Sequence, residues 1–533
     1  MRHFIGAAGA AALLAASLTI PAEAATPRDT LVIAWNIDNL FTFDPAAIGE
    51  TTTDEIMNNV CDPLIFTSRT DAAKLEPGIA ESWSVSEDGL TWTFKIRKGL
   101  KHPSGNPVTA KDSEWSLQRS VLLNLNSAGN ITKWGIVKDN VAQRVRATDD
   151  STLVVQFDKP YPESIIAPYM FTGRSGFVLD KVEALKHEVN GDHANKWLTS
   201  NTACVGGYRV TSWAANDTVV LERNPNYWRG EPKMRRIIIR HVPESTAQRL
   251  QLEKGDIDMA RVLTSNDLTG LETAKSAKIL RTSRNQFYYI TMSMADPVLS
   301  NVKVRQAMKY LVDYEGLEKT VMKYEGRTRQ SLVPIDAFGA LSVEEGNPYK
   351  LDLAKAKQLI TEAGYPNGFE KELIIGNVFP YPDLAQHMQA NAAKIGVKIN
   401  IVTMSYGQVA TRHRGRNFEM AMSAYYISPP DAHGFIDQMA FNPGNSAEAK
   451  NNAQYPSWRA AYSDPYFNEN TEKALLERDK TKRAQMYRDM QIKHLAEGPF
   501  IFMFQTYRII GLGHNVKDIQ TNADRVWYAT ATK

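Results

Sequence analysis

The chain has 533 residues, of which 43% are hydrophobic and 23% charged, and its net charge is +3. A chain of this length exceeds what one compact core accommodates, so we expect two or three domains. The small net charge and the lack of a basic block give no indication of nucleic acid as a partner.

The first 24 residues have the pattern of a secretory signal peptide. Arg2 gives a charged start, an apolar run extends from Phe4 to Ile20, and small residues precede a cleavage point after Ala24. Such segments are removed on export. No cysteine follows the run, so there is no lipobox, and no later stretch reaches the ~20 apolar residues of a spanning helix. We therefore predict a cleaved, periplasmic protein; an uncleaved anchor is the alternative.

The first half of the chain alternates predicted strands with short helices. Strands are expected at 29–35, 89–97, 151–158, 208–222 (a hairpin turning at 216–217) and 234–242, and helices begin near 52, 109, 180 and 246. In the second strand Trp92, Phe94 and Ile96 alternate with polar residues, which is typical of a half-buried strand. Thr109 and Asp112 have the spacing of a helix capping box.

Longer predicted helices dominate the second half. They cover 301–317, 352–364, a stretch ending at Gly396, and 470–498, and strands follow at 397–402 and 500–513. In the first of them Val304, Met308 and Leu311 share one face, as in an amphipathic helix. Strands mixed with helices throughout the chain indicate an α/β fold class.

Two cysteines, Cys61 and Cys204, remain after the signal peptide. In an exported protein an even pair indicates a disulfide, because free thiols are a liability in an oxidising compartment. Two unrelated buried thiols are the alternative. No histidine stands at metal spacing beside either cysteine, so the pair does not predict a zinc site.

Several motifs in order resemble one family. They are LEPGIAESWSVSEDGLTWTFKIRKGLKHPSGNPVTAKD, GGYRV, LEKGDID, VRQAMKYLVD and AKQLITEAGYPNGF. Together they are similar to the extracytoplasmic solute-binding proteins, family 5, of peptide, opine and nickel ABC importers. The resemblance implies a two-lobed periplasmic-binding-protein fold of type II, with an extra small domain and a ligand cleft between the lobes. It implies lobe I at 26–70, 199–290 and 500–533, the small domain at 71–198, and lobe II at 291–499.

The resemblance also implies a function. The protein would be a monomer that binds a short peptide or a peptide-like amino-carboxylate of the opine type, closes its lobes on it, and delivers it to the permease subunits of an ABC importer. It would be no enzyme and would need no cofactor or metal. The alternative is a secreted hydrolase acting on peptides or glycans. Its motifs are not found, because 173–176 lacks the spacing of a nucleophile elbow, and His187 and His193 miss that of zinc proteases.

The candidate pocket segment by resemblance is 411–435. Arg412 and His413 match the basic pair of the peptide-binding members, and Tyr425 matches the aromatic wall, with Tyr426 next to it. An arginine here would grip a carboxylate with two hydrogen bonds.

The same segment departs from the family at the acid that holds a peptide's α-ammonium. Ser428 stands at that position, and Asp431 is the alternative acid three residues on. A buried ammonium without a carboxylate partner is costly. We therefore expect an anionic or zwitterionic ligand that does not depend on a free α-amine. Further candidates by resemblance are Glu50, Thr51, Trp134, Asn285, Phe287, Asn377 and Tyr381.

Overall fold

The structure, a computed structural model, describes residues 26–69, 74–427, 431–523 and 525–533. The predicted signal peptide and Ser428 lie outside these residues. Among the helices that are described, none is both long enough and apolar enough to cross a membrane.

Nineteen strands are found in the described part of the chain. They are β1 (Thr30–Trp35), β2 (Ile65–Thr67), β3 (Leu75–Pro77), β4 (Ala80–Val85), β5 (Thr91–Ile96), β6 (Val145–Asp149), β7 (Thr152–Gln156), β8 (Tyr208–Ala214), β9 (Thr218–Arg223), β10 (Arg236–His241), β11 (Met259–Ala260), β12 (Lys278–Met292), β13 (Gly326–Thr328), β14 (Glu370–Gly376), β15 (Lys398–Met404), β16 (Met420–Tyr426), β17 (Phe500–Leu512), β18 (Gln520–Thr521) and β19 (Val526–Trp527).

Nineteen α-helices are found in the same residues. They are α1 (Thr51–Val60), α2 (Ala110–Leu123), α3 (Gly129–Thr132), α4 (Val141–Arg144), α5 (Glu163–Ile166), α6 (Gly173–Gly176), α7 (Lys181–Leu185), α8 (Asn195–Leu198), α9 (Ser245–Lys254), α10 (Ser265–Ala274), α11 (Val302–Lys309), α12 (Tyr314–Lys319), α13 (Leu353–Glu362), α14 (Tyr381–Ala393), α15 (Tyr406–Arg414), α16 (Ala432–Met439), α17 (Pro456–Arg459), α18 (Pro465–Leu476) and α19 (Lys480–Glu497). A π-helix, Ala167–Phe171, continues α5.

One mixed sheet extends through both lobes. Its strand order is β15-β14-β16-β12-β17-β11-β1-β10-β9-β8, and β13 also pairs with β17. The two central strands, β12 with 15 residues and β17 with 13, pair antiparallel along most of their length. Strands β14 to β16 lie on one side of this pair and β1 and β8 to β11 on the other. The long strands therefore connect the two lobes, and the α/β class and the two-lobed fold are confirmed.

A separate antiparallel sheet, in the order β4-β5-β7-β6, forms the small domain. Trp92, Phe94 and Ile96 of β5 are buried, as their alternation predicted. Thr109 and Asp112 form the expected capping box at the start of α2. These apolar side chains belong to a core of their own, distinct from the cores around β1 and β14. The residue boundaries of the three domains remain a prediction from the resemblance.

The last helical region differs from the prediction. It is two helices, α18 and α19, because Glu477 has extended backbone and Asp479 caps the second helix by accepting hydrogen bonds from the amides of Thr481 and Lys482. A continuous run of helix-forming residues hid this break, since both flanking sequences favour helix equally well.

The two cysteines lie next to each other between α1 and β8. Cys61 follows the last residue of α1, and the structure carries its disulfide bond to Cys204, with Cα atoms 5.2 Å apart. That separation is within the range that a disulfide spans. Formation of the bond in the exported protein stays a prediction, tested below.

Candidate functional site

The small domain and lobe II touch each other on one side of the cleft. The Arg483 guanidinium of α19 donates to the Ser164 hydroxyl at 3.0 Å, and Arg478 donates to the Glu87 carbonyl at 2.9 Å. At Gly434 in α16, a Cβ atom would lie 3.1 Å from the Tyr169 hydroxyl. The two parts therefore meet closely, with Tyr169 and α16 facing one another.

Lys133, beside α3, lines the cleft from the small-domain side. Its side chain is accessible to water, yet protein surrounds it closely enough that burial lowers its pKa to about 7. Its ammonium lies 2.9 Å from the centroid of the Tyr169 ring and 4.7 Å from that of Trp134, in cation–π contact.

Asp437 of α16 faces this lysine from lobe II. Burial raises the pKa of its carboxyl group, and the charge of Lys133 opposes that shift. The Gln438 side-chain amide donates to its Oδ2 atom at 2.9 Å. Within the described residues, no ion pair of 4 Å or less joins Asp437 or Lys133 to a partner. The cleft thus presents one acid and one base that are close enough to influence each other but do not pair.

Tyr425, at the end of β16, forms an aromatic wall beside these charges. Its hydroxyl donates to the Gln438 side-chain oxygen at 2.7 Å, and burial raises its pKa to about 12. Arg459 lies near it and donates to the carbonyls of Ala453 and Gln454. The tyrosine is therefore a neutral, oriented ring at neutral pH.

A second group of charges lies at the connecting strands. Arg261 and Glu55 form a buried ion pair, which Tyr528 completes by donating to the Glu55 carboxylate at 2.6 Å. Arg284 lies over the Tyr426 ring at 5.6 Å. Arg508 donates to the Asn522 carbonyl, and burial lowers its pKa.

Three residues predicted from the sequence lie at the cleft. Tyr425 and Tyr426 end β16 there. Trp134 packs against Tyr169 with ring centroids 5.6 Å apart, and its indole donates to the Asn130 carbonyl at 3.0 Å. Trp134 is only 4% exposed, so it supports Tyr169 and Lys133 more than it offers free surface.

The placement of Arg412 and His413 argues against the predicted role of the basic pair. Helix α15 starts at the carboxyl end of β15 and runs back along the sheet, so Arg412 pairs with Glu372, near the start of β14, at 2.6 Å. Tyr425 lies at the opposite end of these parallel strands. His413 is buried against Phe418, and burial lowers its pKa to about 3. The first is a peripheral ion pair and the second a neutral core side chain.

Asp431 is also not placed as a ligand anchor. Its two oxygens accept hydrogen bonds from Arg483 at 2.7 and 3.0 Å, and it caps α16 through the His433 amide. Only 3% of the residue is exposed. A carboxylate already paired with a buried guanidinium needs no ligand ammonium, which argues against Asp431 as the substitute for the family's acid.

The remaining candidates divide by burial. Phe287 and Tyr381 are packed in cores, and Asn285 is 2% exposed. Asn377 is exposed beside α14, and Glu50 and Thr51 are at the start of α1, with Glu50 as its N-cap. The burial of Phe287 argues against direct ligand contact.

Sequence reasoning missed Lys133, Asp437 and Tyr169. Asp437 stands on a short amphipathic helix, where a charge normally marks the solvated face. Lys133 has the same ordinary appearance, although its neighbour Trp134 was a candidate. These residues line the cleft only because the small domain approaches lobe II. That approach leaves no local pattern in the sequence.

The comparisons with known proteins agree with this architecture. Residues 74–447 match the family described as bacterial extracellular solute-binding proteins, family 5 Middle. Heme-binding protein A of Haemophilus influenzae is 26% identical over 89% of this chain and 87% of its own length. The probable D,D-dipeptide-binding periplasmic protein DdpA of Escherichia coli is 24% identical over 94% and 93%.

Among solved structures, HbpA2 of Haemophilus parasuis superimposes with a TM-score of 0.79 at 22% identity, covering 94% of this chain and 99% of that one. This likeness supports the fold alone. The family match extends through the small domain, the connecting strand β12 and the α16 side of the cleft. The chain therefore belongs to the bacterial extracellular solute-binding proteins, family 5.

Proposed function

We propose that this chain is the periplasmic solute-binding component of an ABC importer and that its ligand is a small zwitterion, a short peptide or a peptide-like amino-carboxylate. The observation that carries the ligand class is the unpaired acid and base across the cleft, Asp437 and Lys133. Membership of the family supports the transport role. The glutathione-binding and D,D-dipeptide-binding relatives, by their names, bind peptide-like zwitterions.

The two charges suit opposite ends of one ligand. The ammonium of the ligand would meet Asp437, and a carboxylate would meet Lys133, so each buried charge gains a partner that the protein alone does not supply. Charge-assisted hydrogen bonds of this kind contribute about 1.5–3 kcal/mol each. The Tyr425 ring would pack against the part of the ligand between its charges.

This assignment revises the ligand chemistry expected from Ser428 alone. Asp437 supplies an acid six residues beyond Asp431, at a half-buried position of α16. A free ammonium on the ligand is therefore an asset, where the sequence predicted that it would be dispensable.

Binding would act through lobe closure. Lys133 belongs to the small-domain side and Asp437 to lobe II, so a ligand that joins them favours the arrangement in which both are close. The membrane permease would then recognise this closed form. The proposal includes no covalent step, so the ligand should be released chemically unchanged.

The experiment combines identification of the ligand with two cleft variants. Mass spectrometry of the denatured protein identifies what co-purifies, and calorimetry measures di- and tripeptides, their N-acetylated forms and opines. Lys133→Met and Asp437→Asn should each weaken the best ligand by roughly tenfold or more, from the loss of one charged hydrogen bond. N-acetylation of the ligand should lower its affinity for the wild-type protein by as much as Asp437→Asn lowers the affinity for the free-amine ligand.

Two controls keep the test specific. Lys319→Met removes an exposed lysine paired with Glu315, and Arg412→Ala removes the predicted but peripheral arginine; both should change affinity less than twofold. Unchanged affinity in both cleft variants would refute the ligand class. Turnover of any peptide or glycan by the purified protein would favour a hydrolase instead.

A further inference from the structure

A buried cluster far from the interlobe cleft joins one histidine and two aspartates. His102 lies in the loop after β5, Asp112 in the first turn of α2, and Asp180 at the N-cap of α7. Their ligand-type atoms all lie within 4.8 Å of one another, and the His102 Nε2 atom is 3.8 Å from an Asp112 oxygen. All three residues are at least nine-tenths buried.

His102 has no hydrogen-bond partner among the described residues. Both ring nitrogens are buried and unsatisfied. The 3.8 Å separation from Asp112 exceeds the length of a hydrogen bond. A buried imidazole with neither nitrogen satisfied is unusual in a folded protein and calls for a missing partner.

The two carboxylates carry negative charge that no described lysine or arginine within 4 Å balances. Asp112 accepts hydrogen bonds from the Thr109 amide and hydroxyl and from the Lys181 amide. Asp180 accepts from Ser104, Asn106 and the Glu183 amide. These bonds fix the carboxylates in place, as the outer partners of metal ligands do.

We propose that His102, Asp112 and Asp180 form a binding site for a divalent transition-metal ion of the Zn²⁺ type. One imidazole nitrogen and two carboxylate oxygens are a donor set that Zn²⁺ accepts, with a fourth position left for water. The ion would satisfy the histidine and neutralise the carboxylates at once. The ligand atoms would have to approach to roughly 3–3.5 Å of one another, chiefly by rotation of the unpartnered His102 side chain, because hydrogen bonds hold both carboxylates.

The site would have a structural role. It would tie the loop after β5 to α2 and α7. His102 also lies in the wall of a cavity of about 570 Å³ open to solvent, which gives an ion a path from outside. No sequence pattern predicts this site, because Asp180 is 68 positions beyond Asp112 and the three residues lack metal-binding spacing.

The test uses the untagged, full mature protein after chelator treatment and dialysis. Calorimetry with ZnCl₂ should show one saturable equivalent, and thermal unfolding should shift upward with Zn²⁺ concentration. Co²⁺ substitution in the unaltered protein should give the intense visible bands of a four- or five-coordinate ion with nitrogen and oxygen ligands. This spectrum needs no variant, so the proposal stays testable if a variant fails to fold.

His102→Gln and Asp180→Asn should each weaken Zn²⁺ binding by tenfold or more; the asparagine keeps the oxygen that caps α7. His187→Gln is the matched control, because the His187 ring contacts the Glu183 side chain at a partly exposed position outside the cluster, and it should leave Zn²⁺ affinity unchanged. Three results would each overturn the proposal: no Zn²⁺ binding, an unaltered Zn²⁺ affinity in His102→Gln, or a six-coordinate Co²⁺ spectrum. The cluster would then be a buried histidine–aspartate pair.

Discussion

At the scale of single residues, the protonation of a cleft side chain depends on the groups that face it across the cleft. Lys133 illustrates this, because burial holds its pKa near 7 while the unliganded cleft offers it no paired carboxylate. A ligand carboxylate would favour the protonated ammonium and raise that pKa again. Lys133 should therefore act as a proton acceptor during binding.

This gives a pH-dependent prediction. At about pH 8 the unliganded lysine is mostly neutral, so binding should take up a proton, and at about pH 6 it is already charged, so uptake should vanish. Calorimetry in buffers of different ionisation enthalpy measures the uptake directly. The Lys133→Met variant should lose the uptake at about pH 8, and equal proton uptake in wild type and variant at that pH would contradict the assignment.

Also at the residue scale, the sequence predicted the types of candidate residue better than their positions in the fold. The aromatic wall at Tyr425 was predicted and lies at the cleft. Arg412 was chosen for its charge, but the direction of α15 places it at the far end of the strands. Asp431 was chosen for its carboxyl group, whose partner Arg483 is 52 positions away in the chain and left no local trace.

Secondary-structure elements were the most predictable level of this molecule. The hydrophobic alternation in β5 and the capping box of α2 depend only on neighbouring residues, and both formed as predicted. The break between α18 and α19 depends on one cap within a helix-favouring sequence and was missed. Strand order in the large sheet depends on distant pairing, which no local pattern predicts.

A buried ion pair, Asp431 with Arg483, joins helices α16 and α19. Its loss allows a prediction at the scale of these elements. Arg483→Met would leave the Asp431 carboxylate buried without its cation, a change that typically costs 3–5 kcal/mol. Urea unfolding should show that loss. Ser164→Ala removes only the contact of Arg483 with the small domain, so it should cost less than about 1 kcal/mol. Equal losses in the two variants would show that the contact, and not the ion pair, holds α16.

At the scale of the whole molecule, the predicted disulfide would link two distant parts of the chain. Cys61 and Cys204 are 143 positions apart, so a disulfide would remove loop-closure entropy worth roughly 4–5 kcal/mol from the unfolded state. The double variant Cys61→Ala, Cys204→Ala should unfold at correspondingly lower urea concentration. Unfolded but unreduced wild type should resist thiol labelling; rapid labelling of both cysteines would show that the bond does not form.

Lobe closure is the whole-molecule property on which function would depend, and Gly434 is the position where it can be tested. An alanine Cβ here would lie 3.1 Å from the Tyr169 hydroxyl across the cleft. Alanine favours helix over glycine by about 1 kcal/mol. Gly434→Ala should thus not weaken α16, yet it should hinder closure.

We expect Gly434→Ala to reduce ligand affinity severalfold and to leave a larger radius of gyration in saturating ligand than the wild type has, measured by solution X-ray scattering. Tyr169→Phe removes the hydroxyl but keeps the ring beneath Lys133. The double variant that combines Gly434→Ala with Tyr169→Phe should therefore recover much of the lost affinity and compaction, because the obstructing oxygen atom is gone. If Tyr169→Phe restores nothing, the alanine acts within lobe II, through its 3.0 Å approach to the Ile427 methyl group, and the contact across the cleft does not control closure.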